Sequence, residues 1–326
     1  MSASHDMTFR SMGSDVRLIV EAPLLGALPS PRETAEIQRR YIEDFARRLS
    51  RFRPESELCA LNRDPREEAP ASILLRTAVS AGLWAARRSG GLVDPTLVGE
   101  IEAVGYVDSQ EGCAPASLRE ALAAGPALRP ARPSARERWK AVEVDDGRGA
   151  VRRPPGVRID TGGTGKGLAA DAVAHRLRGY TRYVVDCGGD IAVGGVGCQL
   201  QPLEIEVEHP LSGECVHTLR VSGGGVATSG LNVRIWKRAD GSFAHHLLDP
   251  ASGEPVWSGL IGASALAPSA LEAETLSKIA LLSGPMGARR VLAEHGGVVV
   301  HNDGDVELIG PLLKRRAVSL MIGSAA

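Results

Sequence analysis

The chain has 326 residues, enough to bury a full core as one large domain or as two close lobes. Its 38 Lys and Arg against 39 Asp and Glu leave a net charge of −1, and aromatic residues make up only 4%. That balance argues against nucleic acid or an anionic membrane as a partner, and the scarcity of rings argues against a base-stacking platform. Cys59, Cys113, Cys187, Cys198 and Cys215 are odd in number and form no Cys-x-x-Cys pair, so neither a disulfide framework nor a zinc site is indicated. The first ten residues hold no apolar stretch of the signal-peptide kind, and no segment is apolar enough for long enough to span a bilayer. The expected setting is the reducing cytoplasm.

In chain order, residues 15–22 read as a strand. Ile37, Tyr41, Ile42, Phe45 and Leu49 recur at helical spacing and predict an amphipathic helix over 30–49. An Ala- and Leu-rich helix follows over 71–89, closed by Gly90-Gly91. Residues 109–136 mix Pro, Gly, Ala and Arg and predict a mobile excursion. A hairpin over 139–144 and 150–151 turns at Asp145-Asp146-Gly147. Beyond a glycine loop come a helix over 167–178, strands at 183–185, 203–207, 216–221 and 233–236, and a strand ending in Ala227-Thr228-Ser229-Gly230. A helix over 269–282, a further helix ending near Ala293, and strands at 298–300 and 306–309 close the chain. Hairpins with a few helices between them indicate one α+β domain over 1–326 rather than a βαβ repeat.

The densest chemical signal is residues 159–171, Ile-Asp-Thr-Gly-Gly-Thr-Gly-Lys-Gly-Leu-Ala-Ala-Asp. Glycine-dense turns let backbone N–H groups converge on an anion, and the dipole of a following helix adds to the field. Lys166 brings a positive charge to the same spot. A Walker A loop is excluded, because Asp160 holds the first glycine position and Gly167 the Ser/Thr position. A dinucleotide fingerprint is excluded as well, because Leu168 holds its last glycine position. The alternative to a phosphate loop is a tight strand-to-helix turn whose glycines serve packing.

Two other places carry charge in a pattern. In His246-Leu247-Leu248-Asp249 an imidazole precedes a turn carboxylate by three residues, which suits a general base held by its neighbour; a structural histidine bonded to a backbone carbonyl is the alternative. Glu274 and Lys278 stand four apart on an otherwise Ala-, Leu- and Ile-rich helix, either as an exposed ion pair or turned inward toward a site. Lysine is rare here. Only Lys140, Lys166, Lys237, Lys278 and Lys314 occur among many arginines, so a lysine inside a motif points to a need for a compact ammonium.

The order of segments resembles the ApbE-like family, flavin transferases that move FMN from FAD onto a protein hydroxyl. The resemblance rests on Met12-Gly13-Ser14, Ser56-Glu57-Leu58 with Asn62, Asp94-Pro95-Thr96 with Gly105-Tyr106, the loop from Asp160 to Asp171, Gly188-Gly189-Asp190, Thr228-Ser229-Gly230, and His246-x-x-Asp249-Pro250-x-x-Gly253. It implies a two-lobed fold of mostly antiparallel sheets flanked by helices, with a flavin groove between the lobes. It implies that FAD meets Met12, Phe52, Asn62, Thr96, Gly163, Thr164, Gly165, Lys166, Asp171 and Ser229. It further implies that His246, with Asp249 and Lys166, activates the hydroxyl of a Ser or Thr on an acceptor flavoprotein, and that AMP leaves.

The resemblance also implies a Mg²⁺ site built from the Gly165 carbonyl and an Asp and a Thr on the late helix. Here those last two positions hold Glu274 and Lys278. An ammonium only donates hydrogen bonds and cannot ligate a cation. Either Lys278 takes the place of the metal, or the chemistry is lost with it. Two alternatives to transfer therefore stand: a non-catalytic FAD-binding protein, and an FAD pyrophosphatase releasing FMN and AMP.

Overall fold

Alternating side chains in Ser4–Ser11 and Ser14–Glu21 build an antiparallel hairpin, with Val16, Leu18 and Val20 fully buried on the inner side. Its two-residue turn, Met12-Gly13, has φ of 53° and 66°, the left-handed pair that such tight hairpins need. A computed structural model describes residues 4–312. Within it this hairpin opens an eight-stranded sheet, continued by Tyr183–Cys187, Asp190–Gly194, Gly224–Gly230, Leu260–Ala267, Gly297–His301 and Val306–Ile309. Every neighbouring pair is antiparallel, and the spatial order follows the chain order.

The sheet is covered on both faces. Val185, Cys187 and Ala192 join a core with the helices Pro31–Leu49, Ile73–Arg88 and Gly165–Arg176. Their neighbours Val184, Ile191 and Val193 point the other way, onto a hairpin formed by Leu203–Glu208 and Cys215–Val221. Double burial removes the polar-apolar alternation that marks a half-buried strand. For that reason Asp190–Gly194 and Leu260–Ala267, buried almost throughout, have no counterpart among the expected strands.

The helices follow the sequence more closely. Ser30 and Glu33 form a reciprocal capping box that starts Pro31–Leu49. The two late helices run together as Ala270–Val291, broken at Gly284 (φ 69°, ψ −177°) just before Pro285. Arg138–Ala141 is a 3-10 turn, so the expected hairpin shortens to Glu143–Asp145 and Ala150–Arg152, joined by Glu68–Pro70. The 109–136 stretch holds the helix Leu118–Ala123, and its proline-flanked end is fastened: the Arg129 N–H donates to Trp257, the Ala131 N–H to Leu282, and the Arg132 carbonyl accepts from Ala251. Among the described residues no helix is long and apolar enough to cross a membrane.

One close approach positions the site. The glycine-loop helix Gly165–Arg176 meets the start of Ala270–Val291, where Asp171 accepts from the Ala270 and Leu271 N–H groups at 2.8 and 2.9 Å. At Gly167 a Cβ would stand 2.7 Å from the Ala270 carbonyl oxygen. Gly167→Ala must therefore push the two helices apart, at an expected cost of about 1–3 kcal/mol in unfolding free energy. Chemical denaturation measures it, and an unchanged midpoint would show that the contact is slack.

Candidate functional site

The turns at one end of the sheet bring the candidate residues together. Gly188-Gly189 has φ of 68° and 88° and caps the hairpin next to Met12-Gly13, because Val16 pairs with Cys187. Asp190 lies opposite Ala227, so Ser229 and Gly230 continue toward the same end. Against these turns lies the N-terminus of Gly165–Arg176.

Two ion pairs, each with a buried carboxylate, hold this end. The Lys166 ammonium donates to the Gly188 carbonyl at 3.0 Å and stands 3.0 Å from Asp190 Oδ2, an ion pair lacking hydrogen-bond alignment. Burial opposes its charge, but Asp190 and Glu274 outweigh that and raise its pKa. Glu274 has no exposed surface. Its Oε2 accepts from the Gly167 N–H and its Oε1 from Lys278 Nζ, each at 2.9 Å. Burial raises the Glu274 pKa against the pull of Lys278. The Glu274–Lys278 pair is thus turned inward, with Lys278 only 13% exposed.

His246 and Asp249 are not partners. Asp249 accepts from the backbone N–H groups of Arg132 and Ala251 at 2.7 and 3.2 Å and from the Ser252 hydroxyl at 3.0 Å. A carboxylate at the first position of a turn bonds its own loop more readily than a side chain three residues back. The imidazole Nδ1 instead meets the Arg234 carbonyl at 3.4 Å, which leaves Nε2 to act as acceptor when Nδ1 holds the proton. Burial, then Arg234, His245 and Lys278, hold the His246 pKa well below 6.5, so the ring is neutral at neutral pH. Its neighbour His245 is the structural histidine, edge-on to Trp257 with Nε2 2.9 Å from the Val256 carbonyl.

Arg234 gave no signal in sequence. Its Nη2 lies 3.5 Å from where a Cβ on Gly13 would stand, and its charge acts on Tyr106, Lys166 and His246. Beside it, Tyr106 stacks on Trp236 at 5.5 Å and meets Phe52 edge-on at 5.3 Å. The three rings come from distant parts of an aromatic-poor chain, and only the fold brings them together. Arg51 packs 4.4 Å above Phe52 and bonds Asp160 at 3.0 Å, which ties this wall to the glycine loop.

Several expected contact residues hold the frame. Asn62 exchanges two 2.8 Å hydrogen bonds with the Ile159 backbone, and Thr96 donates to Asp94 at 2.6 Å. Ser229 reaches Ser277 at 2.9 Å, and both oxygens of Asp171 are taken by the long helix. Met12 packs against the core from its hairpin turn, and Thr164 is buried at the start of the loop helix. The loop glycines divide in role. Gly167 is packed, whereas a Cβ on Gly165 would meet no described heavy atom within 4 Å and one on Gly163 only Val93, at 4.0 Å. At those two positions the backbone faces open space.

A divalent cation does not fit these donors. Mg²⁺ and Ca²⁺ take several oxygen ligands, but both Glu274 oxygens are engaged and Lys278 offers only N–H groups. Among the described residues no group of three or more His, Cys, Asp or Glu side chains gathers to hold a metal.

The sequence model described as "ApbE family" matches residues 12–301. The chain belongs to the ApbE family. Over 146 residues it is 31% identical to an FAD:protein FMN transferase of Klebsiella pneumoniae, a match covering 44% of this chain and 41% of that protein. It therefore spans under half the length of that relative. A Treponema pallidum FAD:protein FMN transferase is 27% identical over 273 residues, 77% of this chain and 71% of its own. Among solved structures, the ApbE protein of Thermotoga maritima superposes with a TM-score of 0.75 at 24% identity, covering 95% of this chain and 98% of that one. The Vibrio cholerae flavin transferase ApbE gives 0.72 at 19% identity, over 95% and 98%. The mostly antiparallel α+β architecture is thus the ApbE fold.

The separation of Asp249 from His246 has a measurable consequence. Asp249→Asn should leave the NMR titration of the His246 ring where it is, whereas Lys278→Met should raise that pKa by removing a cation. A fall in the His246 pKa on Asp249→Asn would reveal a carboxylate partner after all.

Proposed function

We propose that the chain transfers FMN from FAD to a Ser or Thr hydroxyl of an acceptor protein, releasing AMP. The observation that carries this reading is a neutral imidazole in the field of Lys278 and Arg234, the cations that also join the glycine loop through Glu274 and Lys166. A base that is unprotonated at neutral pH can take a hydroxyl proton, and the adjoining charges suit a phosphoryl group that gains negative charge as it reacts. Names of relatives over part of their length support it. The Phe52–Tyr106–Trp236 wall supports a planar ring ligand next to the phosphates.

His246 Nε2 takes the acceptor O–H proton, and the oxygen attacks the phosphorus of the FMN half. The bond from that phosphorus to the bridging oxygen breaks, and AMP departs with the oxygen. Gly163 and Gly165 let the backbone approach the pyrophosphate closely, and Lys166 faces it. The reading includes a cytoplasmic setting, supported by the cysteine pattern, and an acceptor that presents an exposed hydroxyl.

The experiment is to incubate the protein with FAD and an acceptor protein and follow covalent flavin by mass spectrometry, with AMP by chromatography. Transfer with one AMP per flavin attached is expected. FMN appearing free, with the acceptor unmodified, would mean hydrolysis instead. His246→Gln should lower transfer about 10²- to 10⁴-fold while FAD still binds.

The pH dependence has a definite sign. A base must be unprotonated to act, and the His246 pKa is depressed below 6.5. Transfer should therefore persist as pH falls through that value and fail only well below it. An acid limb centred at or above 6.5 would contradict the assigned base.

A further inference from the structure

We propose that this chain meets the charge of a bound pyrophosphate with three side-chain cations, Lys166, Lys278 and Arg234, in place of a divalent ion. The inference rests on the flavin-transfer reading and names how its site handles the phosphates.

The geometry carries it. Glu274 is fully buried and holds Lys278 by one N–H at 2.9 Å, so the ammonium is fixed while its other donors remain for a ligand. Lys166 is fixed likewise between Gly188 and Asp190. Lys278 contacts Glu274, and Lys166 directly precedes Gly167, whose N–H the other Glu274 oxygen holds. Arg234 comes from the segment before Ile235–Lys237, and its charge reaches Lys166 and His246. The three cations stand with the carboxylates Asp190 and Glu274, while Asp186, in the field of Asp190 and Lys166, is also met by Arg17. Burial favours protonation of Glu274, which lowers the negative charge facing a ligand.

Arg234 does a second thing. Its carbonyl meets both the N–H and the Nδ1 of His246, at 3.3 and 3.4 Å. An anion that draws in the guanidinium also fixes the residue that sets the base's tautomer. A divalent ion would neutralise charge without that link, and it would need the Glu274 oxygens that Gly167 and Lys278 already occupy.

FAD affinity of the full chain, measured by calorimetry and flavin fluorescence in EDTA and again in MgCl₂, tests this. The affinities are expected to agree in the two buffers. Lys278→Met and Arg234→Gln should each weaken FAD binding about 10- to 100-fold, the effect of losing a charge-assisted hydrogen bond, in both buffers alike. Lys278→Met leaves a buried carboxylate unpaired, so Lys278→Met with Glu274→Gln serves as the neutral control and should show the same loss with a normal melting profile. Glu274→Asp with Lys278→Thr, the pair implied by the family resemblance, should make binding depend on Mg²⁺ and give a bound Mn²⁺ signal by electron paramagnetic resonance. Wild-type binding that needs Mg²⁺, or a bound Mn²⁺ signal from wild-type protein with FAD, overturns the inference but leaves the transferase reading standing. No FAD binding in either buffer overturns both.

Discussion

The buried carboxylate of Glu274 is the contact on which the site depends. It bridges the Gly167 N–H of the loop helix and the Lys278 ammonium of its own helix, with no exposure to solvent. An ionised group in such a place is tolerated only when its oxygens are satisfied, and removal of one partner is costly. Asp171 repeats the device one helical turn further on, gripping the Ala270 and Leu271 N–H groups. Two carboxylates thereby lock two helix N-termini together, and the tight fit at Gly167 leaves no room for a looser arrangement. The open backbone at Gly163 and Gly165 is presented from this clamp.

Charge at the candidate site follows from the same packing. Lys166 keeps its proton because Asp190 and Glu274 outweigh the cost of burial, while His246 loses its own to burial and to the cations around it. Arg234 acts on both, so a permanent cation and a neutral base share one charged neighbour. Environment, more than residue type, assigns the roles.

Much of this was legible in the sequence, for physical reasons that differ by element. Pro31–Leu49 and Ile73–Arg88 expose one face and bury the other, so their periodicity is plain. Asp190–Gly194 and Leu260–Ala267 are buried almost throughout, so no polar-apolar alternation marks them. The glycine loop stood out by composition, and Glu274 with Lys278 by their spacing on an apolar helix, although only the fold shows that the pair is buried. The three-residue spacing of His246 and Asp249 misled, because the aspartate caps its own turn. Arg234 was hidden, since one arginine among many carries no signal until the fold brings it to Gly13 and Tyr106.

A crystal structure of the protein grown with FAD and MnCl₂, with anomalous data collected at the manganese edge, would test the central claim most directly. The account predicts a pyrophosphate contacted by Lys166, Lys278 and Arg234, with no anomalous peak beside Glu274. A manganese peak bonded to Glu274, with the Lys278 ammonium displaced, would contradict it.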